Sequence, residues 1–343
     1  MSLPADSLRE TILELPKVEL HVHFEGSIQP ASLLWLAKKN QVELPASTEE
    51  ALKEWFTFRD FPHFAEVYTT ASSCIRNAED LEFLAEQFAQ ERERQNILYS
   101  EVTYTATTIL KHSGIPFQEQ LEALNRGVAK VPGVVIRWVI DIVREFTPEQ
   151  GEEVAQWCID YRDKGVAAIG LSGFELKYPL SRHAHAFATA RSAGVPITAH
   201  AGETQGPEAI YEALDVIEAN RIGHGVRCLE DGRLVARLRD NMIHLEVNPS
   251  SNVCLAIFPN LEAHPIGRMI DEGLSVSINS DDPPMFNTSL TEEWARCVET
   301  FELPLDILYT LNANAVNASF LSSEEKQDLR QKMVRGFNEV LND

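Results

Sequence analysis

Residues 17–26 read KVELHVHFEG. Valine and leucine alternate with polar residues over the first seven positions and a glycine follows, which is typical of a short strand that ends in a loop. Residues 31–40, beyond this loop, read as helical. The order of strand, polar loop and helix predicts parallel strands joined by helical crossovers.

Seven further apolar runs repeat this order, and from the second run onward their starts lie 21 to 37 residues apart. That spacing suits one βαβ unit each. Eight units predict an α/β fold, a closed (β/α)8 TIM-type barrel. The alternative is an open doubly wound sheet, which is disfavoured because no glycine-rich phosphate loop follows the first strand. The predicted strands are residues 17–23, 97–105, 134–143, 166–171, 195–200, 221–224, 242–247 and 274–279.

Two segments exceed a minimal barrel. Residues 30–96 contain four helical stretches and are predicted to form a helical insertion after strand 1, over the barrel mouth. Residues 290–343 are predicted to form a helical C-terminal extension. Because no low-complexity or Gly/Ser-rich linker interrupts the sequence, residues 1–343 are predicted to form one domain.

The composition excludes several classes of partner. Lys plus Arg number 30 and Asp plus Glu 52, so the net charge is −22, and such a field repels nucleic acid and anionic membranes. Five scattered cysteines without CxxC spacing indicate a reducing compartment. With no signal-like N-terminus and no run of 18 apolar residues, we expect a cytoplasmic protein whose partner is a small molecule. The sequence does not indicate an oligomeric state.

Candidate functional residues collect where the predicted strands end. His21 and His23 lie on one face of the first strand, because side chains alternate along a strand. An HxH pair alone is more often structural, but the active site of such a barrel assembles at the carboxyl ends of all its strands. Imidazole and carboxylate ligands without cysteine suit Zn²⁺, with Fe²⁺ or Mn²⁺ possible. The other candidates at strand ends are His200, Glu203, His224, Asp281 and Asp282.

At these residues the sequence resembles the adenosine deaminase family of the amidohydrolase superfamily. The matching strings are LPKVELHVHFEGS (15–27), ITAHAGE (197–203), RIGHGV (221–226), NPSSNV (248–253) and SINSDDPPMF (277–286). They occur in the family's order, and residues 312–326 are similar to its last helices. The resemblance implies the metal-bearing barrel.

The resemblance also implies the roles of the site residues. Glu203 would carry a proton to purine nitrogen 1, and His224 together with Asp281 would orient the attacking hydroxide. Attack on an aromatic ring requires protonation of a ring nitrogen, and general acid–base help of this kind typically contributes about 10²–10⁴-fold. The four ligands of one zinc ion would be His21, His23, His200 and Asp281.

The same resemblance implies the substrate contacts. Asp282 would hydrogen-bond purine nitrogen 7, the backbone of Gly173 would approach nitrogen 3, and His23 would lie beside the substrate. Glu25 stands where some members carry an aspartate that touches the ribose 5′-hydroxyl. Members that act on free adenine tend to have serine at the Gly173 position, so this glycine favours a nucleoside.

The predicted function is therefore zinc-dependent hydrolytic deamination of adenosine or a modified adenosine nucleoside. Adenine, an N6-substituted adenine or aminodeoxyfutalosine from menaquinone synthesis remain as alternative substrates. A third alternative is a catalytically silent barrel that only binds a nucleoside or signals through its surface. We assign no functional role to His112 and His264, and we expect His183 to lie on the solvated surface and Cys254 to be buried.

Overall fold

The computed structural model describes residues 5–58 and 61–342, without the side chains of residues 5, 6, 61 and 342. Within these ranges eight parallel strands pair in sequence order, the first four in one sheet and the last four in another. Two isolated bridges, Val22 with Asp281 and Ile169 with Ile197, join the sheets at both seams. The predicted α/β barrel is therefore confirmed, and it is closed.

The strands and helices follow the predicted order. The strands are β1 Lys17–His23, β2 Ile97–Tyr104, β3 Val135–Val143, β4 Val166–Ser172, β5 Thr198–Ala201, β6 Arg221–His224, β7 His244–Val247 and β8 Val276–Ile278. The helices are α1 Ala5–Glu14, α2 Pro30–Asn40, α3 Glu49–Trp55, α4 Phe61–Ser73, α5 Ala78–Arg94, α6 Ala106–Ser113, α7 Phe117–Ala129, α8 Pro148–Asp160, α9 Ala184–Ser192, α10 Pro207–Asp215, α11 Gly232–Asp240, α12 Pro249–Cys254, α13 Ile266–Asp271, α14 Leu290–Phe301, α15 Asp306–Ala318 and α16 Ser323–Asn342.

Three strands, β5, β7 and β8, start two or three residues later than predicted, and the reason is the same for each. The N–H groups of Val195, Ile243 and Leu274 each donate to a carbonyl five residues earlier in the preceding helix. In each case the residue just before the donor, for example Met242 at φ 54°, has a left-handed backbone. This is the pattern that closes a helix C-terminus. The first apolar residue of each predicted run therefore caps a helix instead of pairing in the barrel.

The insertion after β1 divides between two places. Helix α4 lies at the barrel mouth, where Phe64 stacks on Phe286 and Tyr68 approaches the ring of His23. Helix α5 instead packs against α7 on the barrel flank. A Cβ on Gly127 of α7 would lie 2.2 Å from the Glu82 carbonyl of α5. The prediction that the whole insertion covers the mouth is too broad, because α5 serves as an outer helix of the barrel.

The C-terminal extension forms three helices, and α15 packs against the end of the barrel away from the mouth. Asn312 of α15 accepts a hydrogen bond from the backbone N–H of Val18 at 2.9 Å. After α15, the N–H of Phe320 donates to Glu101 of β2 at 2.6 Å, and Arg221 of β6 donates to the Ala318 carbonyl at 3.0 Å. The extension thus contacts strands at the end of the barrel away from the mouth.

The cysteines are all free thiols. Four of them are buried, whereas Cys254 is exposed at the end of α12, so the prediction that it is buried is wrong. Its helix lies in the loop that follows β7, where solvent reaches the last turn. No helix in the described ranges is both long enough and apolar enough to span a bilayer.

Candidate metal centre and substrate pocket

Four side chains from distant parts of the chain converge at the barrel mouth: His21, His23, His200 and Asp281. The Nε2 atom of His200 lies 3.1 Å from that of His21 and 3.2 Å from that of His23. Asp281 Oδ1 lies 3.3 Å from each of the latter two nitrogens. In a tetrahedral site with bonds of about 2.0–2.2 Å, neighbouring ligand atoms lie roughly 3.3–3.6 Å apart. The four atoms therefore suit one divalent cation.

The second nitrogen of two of these imidazoles is hydrogen-bonded away from the centre. His21 Nδ1 lies 2.8 Å from the Glu246 carboxylate, and His200 Nδ1 donates to the Leu171 carbonyl at 2.8 Å. Each Nε2 is thereby left to present its lone pair to the centre, as in the carboxylate–histidine–metal arrangement. Because two lone pairs 3.1 Å apart repel each other, this arrangement fits a cation between them.

The charges of the site favour a cation as well. Burial lowers the pKa of His21, but the carboxylates of Asp281 and Glu246 outweigh it and raise the pKa to about 10. Burial would raise the pKa of Asp281, yet hydrogen bonds with His21 and His23 lower it well below its usual value. The carboxylates thus draw positive charge to this place, and a metal ion supplies it without protonating the imidazoles.

The backbone is strained at two of the site residues. His224 ends β6 with φ 61°, and Asp281 follows β8 with φ 62°. A left-handed backbone at a residue other than glycine costs on the order of 1–3 kcal/mol. At Asp281 it is held by two hydrogen bonds to β1, from the N–H of His23 and to the carbonyl of His21, at 2.8 and 3.2 Å. Both of these strained residues carry side chains that line the cavity at the mouth.

Glu203 and His224 lie beside the four ligand atoms. His224 Nε2 is 3.8 Å from Glu203 Oε1 and 3.8 Å from Asp281 Oδ2. Burial, followed by the charges of Asp281 and Glu175, raises the pKa of Glu203 to about 8. Burial lowers the pKa of His224 to about 3. The two shifts thus favour a protonated carboxyl group at Glu203 next to a neutral imidazole at His224.

The loop that carries Glu203 is fixed by a second buried carboxylate. Glu175, which follows β4, accepts hydrogen bonds from the backbone N–H groups of Gly202, Thr204 and Gln205 at 2.7–2.8 Å. Three such bonds to one charged group hold a loop firmly, because each is stronger than a bond between neutral groups. Glu175 therefore sets the direction in which Glu203 points.

A cavity of about 340 Å³ extends from three of the four candidate ligands, His23, His200 and Asp281, to the outer surface of the barrel. Its inner part is lined by Glu203, His224, Asp282 and Gly173, and its outer part by side chains of α4 and α6 and of the loop after β3. Its volume falls at the small end of the range for ligand pockets, about 300–1,000 Å³. The outer lining residues include Phe64, Tyr68, Lys111, His112, Glu145 and Phe146.

Two glycines make room for the inner pocket. A Cβ on Gly26 would lie 1.6 Å from Asp282 Oδ1, so the carboxyl group occupies the space that any other residue would fill. Gly173 has φ 97°, and a Cβ there would lie 2.3 Å from the carboxylate of Glu145. Both positions accept only glycine in this arrangement. The glycine of the HVHFEG string is therefore explained by the position of Asp282.

Glu25 does not line the cavity. It is fully buried, and its carboxylate accepts hydrogen bonds from the Tyr68 hydroxyl and the Thr105 N–H, both at 3.0 Å. This position argues against the predicted contact between Glu25 and a sugar hydroxyl. Tyr68 stands between Glu25 and the cavity, so the longer side chain of glutamate holds an aromatic residue of α4 in place.

Several residues without an assigned role have one in the structure. Glu246 bridges His21 and Arg221, with its second oxygen 2.6 Å from the Arg221 Nε. The signal in the sequence was a charged residue inside an apolar strand, which points into a barrel interior.

His183 is buried, so the prediction that it lies on the surface is wrong. It packs under α8, where its Nδ1 lies 2.7 Å from the Cβ position of Gly151.

Comparisons with known proteins agree with this geometry. Residues 16–335 match the family model described as adenosine deaminase. An aminodeoxyfutalosine deaminase of Streptomyces avermitilis is 37% identical over 324 residues, which cover 93% of this chain and 90% of that protein. An adenine deaminase of Rhodospirillum rubrum is 33% identical, over 93% of this chain and 96% of that one. The crystal structure of an adenine deaminase from Arthrobacter aurescens gives a TM-score of 0.89 at 29% identity, over 94% and 98% of the two chains.

Proposed function

The chain belongs to the adenosine deaminase family, and from this premise we propose that it is a zinc-dependent aminohydrolase of adenosine or a modified adenosine nucleoside. The reaction replaces the 6-amino group of the purine by a 6-oxo group and releases ammonia. The observation that carries the proposal is the convergence of four ligand atoms within 4.8 Å of one another, with Glu203 and His224 beside them. His21, His23, His200 and Asp281 would hold the zinc ion.

The zinc ion supplies one part of the chemistry: when bound, it lowers the pKa of a water ligand from 15.7 to about 7, so that hydroxide is available at neutral pH. The other parts come from the chain. Glu203 donates its proton to purine nitrogen 1, which makes carbon 6 open to attack. His224 orients the attacking oxygen together with Asp281. The raised pKa of Glu203 supports its part, because an acid must hold its proton before the reaction begins.

The inner cavity residues position the purine. Asp282 hydrogen-bonds nitrogen 7, and the backbone of Gly173 lies against nitrogen 3. Both contacts are supported by the absence of a Cβ at Gly26 and Gly173, which leaves room for the Asp282 carboxyl group and for close approach of the backbone. With nitrogens 1, 3 and 7 all occupied, the ring can bind in one orientation only, with its 6-amino group toward the four ligands.

A nucleoside suits the cavity better than the free base. The cavity continues past the inner residues to Glu145 and Phe146 and to α6. The carboxylate of Glu145 is an acceptor near Gly173, so it is available to hydroxyl groups of a sugar. This supports adenosine or a modified adenosine as the substrate, with adenine and N6-substituted adenines as weaker alternatives.

The test is a substrate panel with purified, zinc-loaded protein. We expect loss of the adenine absorbance and release of one ammonia per turnover with at least one 6-aminopurine nucleoside. Glu203→Gln should retain zinc and lose nearly all turnover, because glutamine cannot donate and recover a proton. No turnover of any 6-aminopurine nucleoside or base would contradict the proposal and favour a silent, nucleoside-binding barrel.

A second candidate is a nucleoside that carries an anionic group beyond its sugar. Lys111 and His112 of α6 line the outer cavity, and no carboxylate in the described part of the chain forms an ion pair with Lys111. After burial, the charges of Lys111 and Arg76 lower the pKa of His112, so two cations lie beside a neutral imidazole in a chain of net charge −22. This cluster supports a substrate with a phosphate or carboxylate at its 5′ end.

The two candidates differ in one measurement. If the second is right, AMP or aminodeoxyfutalosine will have a higher kcat/KM than adenosine, and Lys111→Met will remove that preference without changing turnover of adenosine. Lys53→Met, on the exposed face of α3 and away from the cavity, is the matched control. Equal kcat/KM values for all three substrates would support adenosine without an anionic group.

We also propose a cytoplasmic location, because free cysteines suit a reducing compartment.

A further inference from the structure

The side of His224 that faces away from the metal centre is held by a chain of hydrogen bonds. His224 Nδ1 lies 3.1 Å from the Asn252 amide nitrogen, and Asn252 Oδ1 lies 3.1 Å from His264 Nε2. The chain ends at the backbone, where the N–H of Ile266 donates to His264 Nδ1 at 3.2 Å. All three side chains are buried, and Asn252 is completely inaccessible to solvent.

This chain has a fixed direction because it starts at a group that can only donate. A backbone N–H carries no lone pair, so His264 Nδ1 must accept, and the proton of the neutral ring is on Nε2. His264 Nε2 then donates to Asn252 Oδ1, which leaves the amide nitrogen of Asn252 to donate to His224. A second amide, Asn248 Nδ2, lies 3.4 Å from the same nitrogen of His224. His224 Nδ1 therefore accepts, and the proton of its neutral ring is on Nε2.

We propose that Asn252 and His264 are positioning residues that hold neutral His224 in the tautomer with its proton on Nε2. In this tautomer Nε2 has no free lone pair, so His224 acts toward the mouth as a hydrogen-bond donor and not as a proton acceptor. Its donor lies 3.8 Å from Glu203 and from Asp281, at the place where the attacking oxygen would bind. The inference rests on the proposed function for its catalytic consequence but not for the tautomer itself.

Loss of the Nε2–H donor of His224 should lower kcat strongly. Removing one donor aimed at a developing negative charge typically costs about 10²–10³-fold in kcat. An imidazole held in the wrong tautomer in a serine protease loses on the order of 10⁴-fold. A residue that merely fills space would change stability and would not act selectively on kcat. His264 does not line the substrate cavity itself and instead lines a separate cavity of about 480 Å³.

The decisive variant is Asn252→Asp, which keeps the shape of the side chain and replaces its donor by an acceptor. We expect His224 to move its proton to Nδ1, kcat to fall by about 10²–10³-fold, and KM to stay within about threefold. His264→Gln keeps a donor toward Asn252 and should retain at least a third of wild-type kcat. Asn241→Asp, at the exposed end of α11, is the control for the added charge.

The tautomer is measured by NMR of the zinc-loaded protein labelled with ¹⁵N-histidine, with the His224 signal assigned by its loss in His224→Gln. The inference requires a protonated Nε2 and an unprotonated Nδ1 in the wild type. A protonated Nδ1 would overturn it, and so would unchanged kcat in a folded Asn252→Asp variant. If Asn252→Asp does not fold, the wild-type spectrum and His264→Gln still decide. If the protein deaminates nothing, the proposed function fails while the spectrum still tests the tautomer.

Discussion

Gly26→Ala tests whether the space beside the first strand exists for Asp282. The new alanine Cβ would lie 1.6 Å from the Oδ1 atom of Asp282, 2.5 Å from its Cγ and 2.8 Å from its Cβ, so the whole carboxyl group of Asp282 must move. Overpacking of this kind costs typically about 1–3 kcal/mol of stability. A moved carboxyl group would also lose the proposed hydrogen bond, in which the protonated carboxyl group donates to purine nitrogen 7. Leaving one partner of a buried hydrogen bond unpaired costs roughly 1–3 kcal/mol, which corresponds to about 5- to 150-fold in kcat/KM.

The assay compares adenosine with 7-deazaadenosine, which has a C–H group at position 7. The wild type should prefer adenosine by about the same factor of 5 to 150, and Gly26→Ala should lose both its activity on adenosine and this preference. Gly232→Ala is the control, because a Cβ there meets no atom within 4 Å. If Gly26→Ala keeps the wild-type kcat/KM and still discriminates between the two compounds, the assigned relation between Gly26, Asp282 and nitrogen 7 is refuted.

Three further predictions concern buried carboxylates. As the proposed proton donor, Glu203 must be protonated before the reaction; burial raises its pKa to about 8, and a bound cation would lower that value. We therefore expect kcat/KM to fall as the pH rises toward 8, and a pH profile that is flat to pH 10 would contradict this. Glu246→Gln removes the charge behind His21 and should weaken zinc binding by about 10- to 100-fold, measured by competition with a chromophoric chelator, and an unchanged affinity would exclude this role. Glu175→Ala removes the acceptor of three backbone bonds and should lower kcat at least tenfold at full zinc content, whereas wild-type kcat would show that the loop keeps its conformation without it.

The barrel could be predicted from the sequence because each strand is a separate apolar run with a helix after it. The starts of three strands could not, since the first residue of each run is used to end the preceding helix. Whether such a residue ends the helix or begins the strand depends on a residue with a left-handed backbone, such as Met242, and the pattern of apolar residues does not predict that conformation. The sequence also could not predict which helices of the insertion cover the mouth, because α4 and α5 have similar helical patterns and differ only in what they pack against.

The candidate ligands could be placed at strand ends from the sequence because motif and strand end coincide there. Residues that act through a ligand were harder to find. Glu175 and Asn252 are ordinary polar residues in sequence, and Glu246 is distinguished only by its charge within an apolar strand. The contacts of Glu246, Glu175 and Asn252 are with residues 225, 27 to 30 and 28 positions away. For Glu25 the resemblance implies a contact with the ribose 5′-hydroxyl, whereas in the structure its carboxylate accepts a hydrogen bond from the Tyr68 hydroxyl.

The most direct test of the central claim is a zinc titration of the chelator-treated protein, followed by ammonia release from its best nucleoside substrate. If the four ligand atoms of His21, His23, His200 and Asp281 share one ion, activity will rise linearly and stop rising at one zinc per chain, and His200→Ala will show no such rise. Full activity in the metal-free protein, or a rise that continues to two zinc ions per chain, would contradict the account.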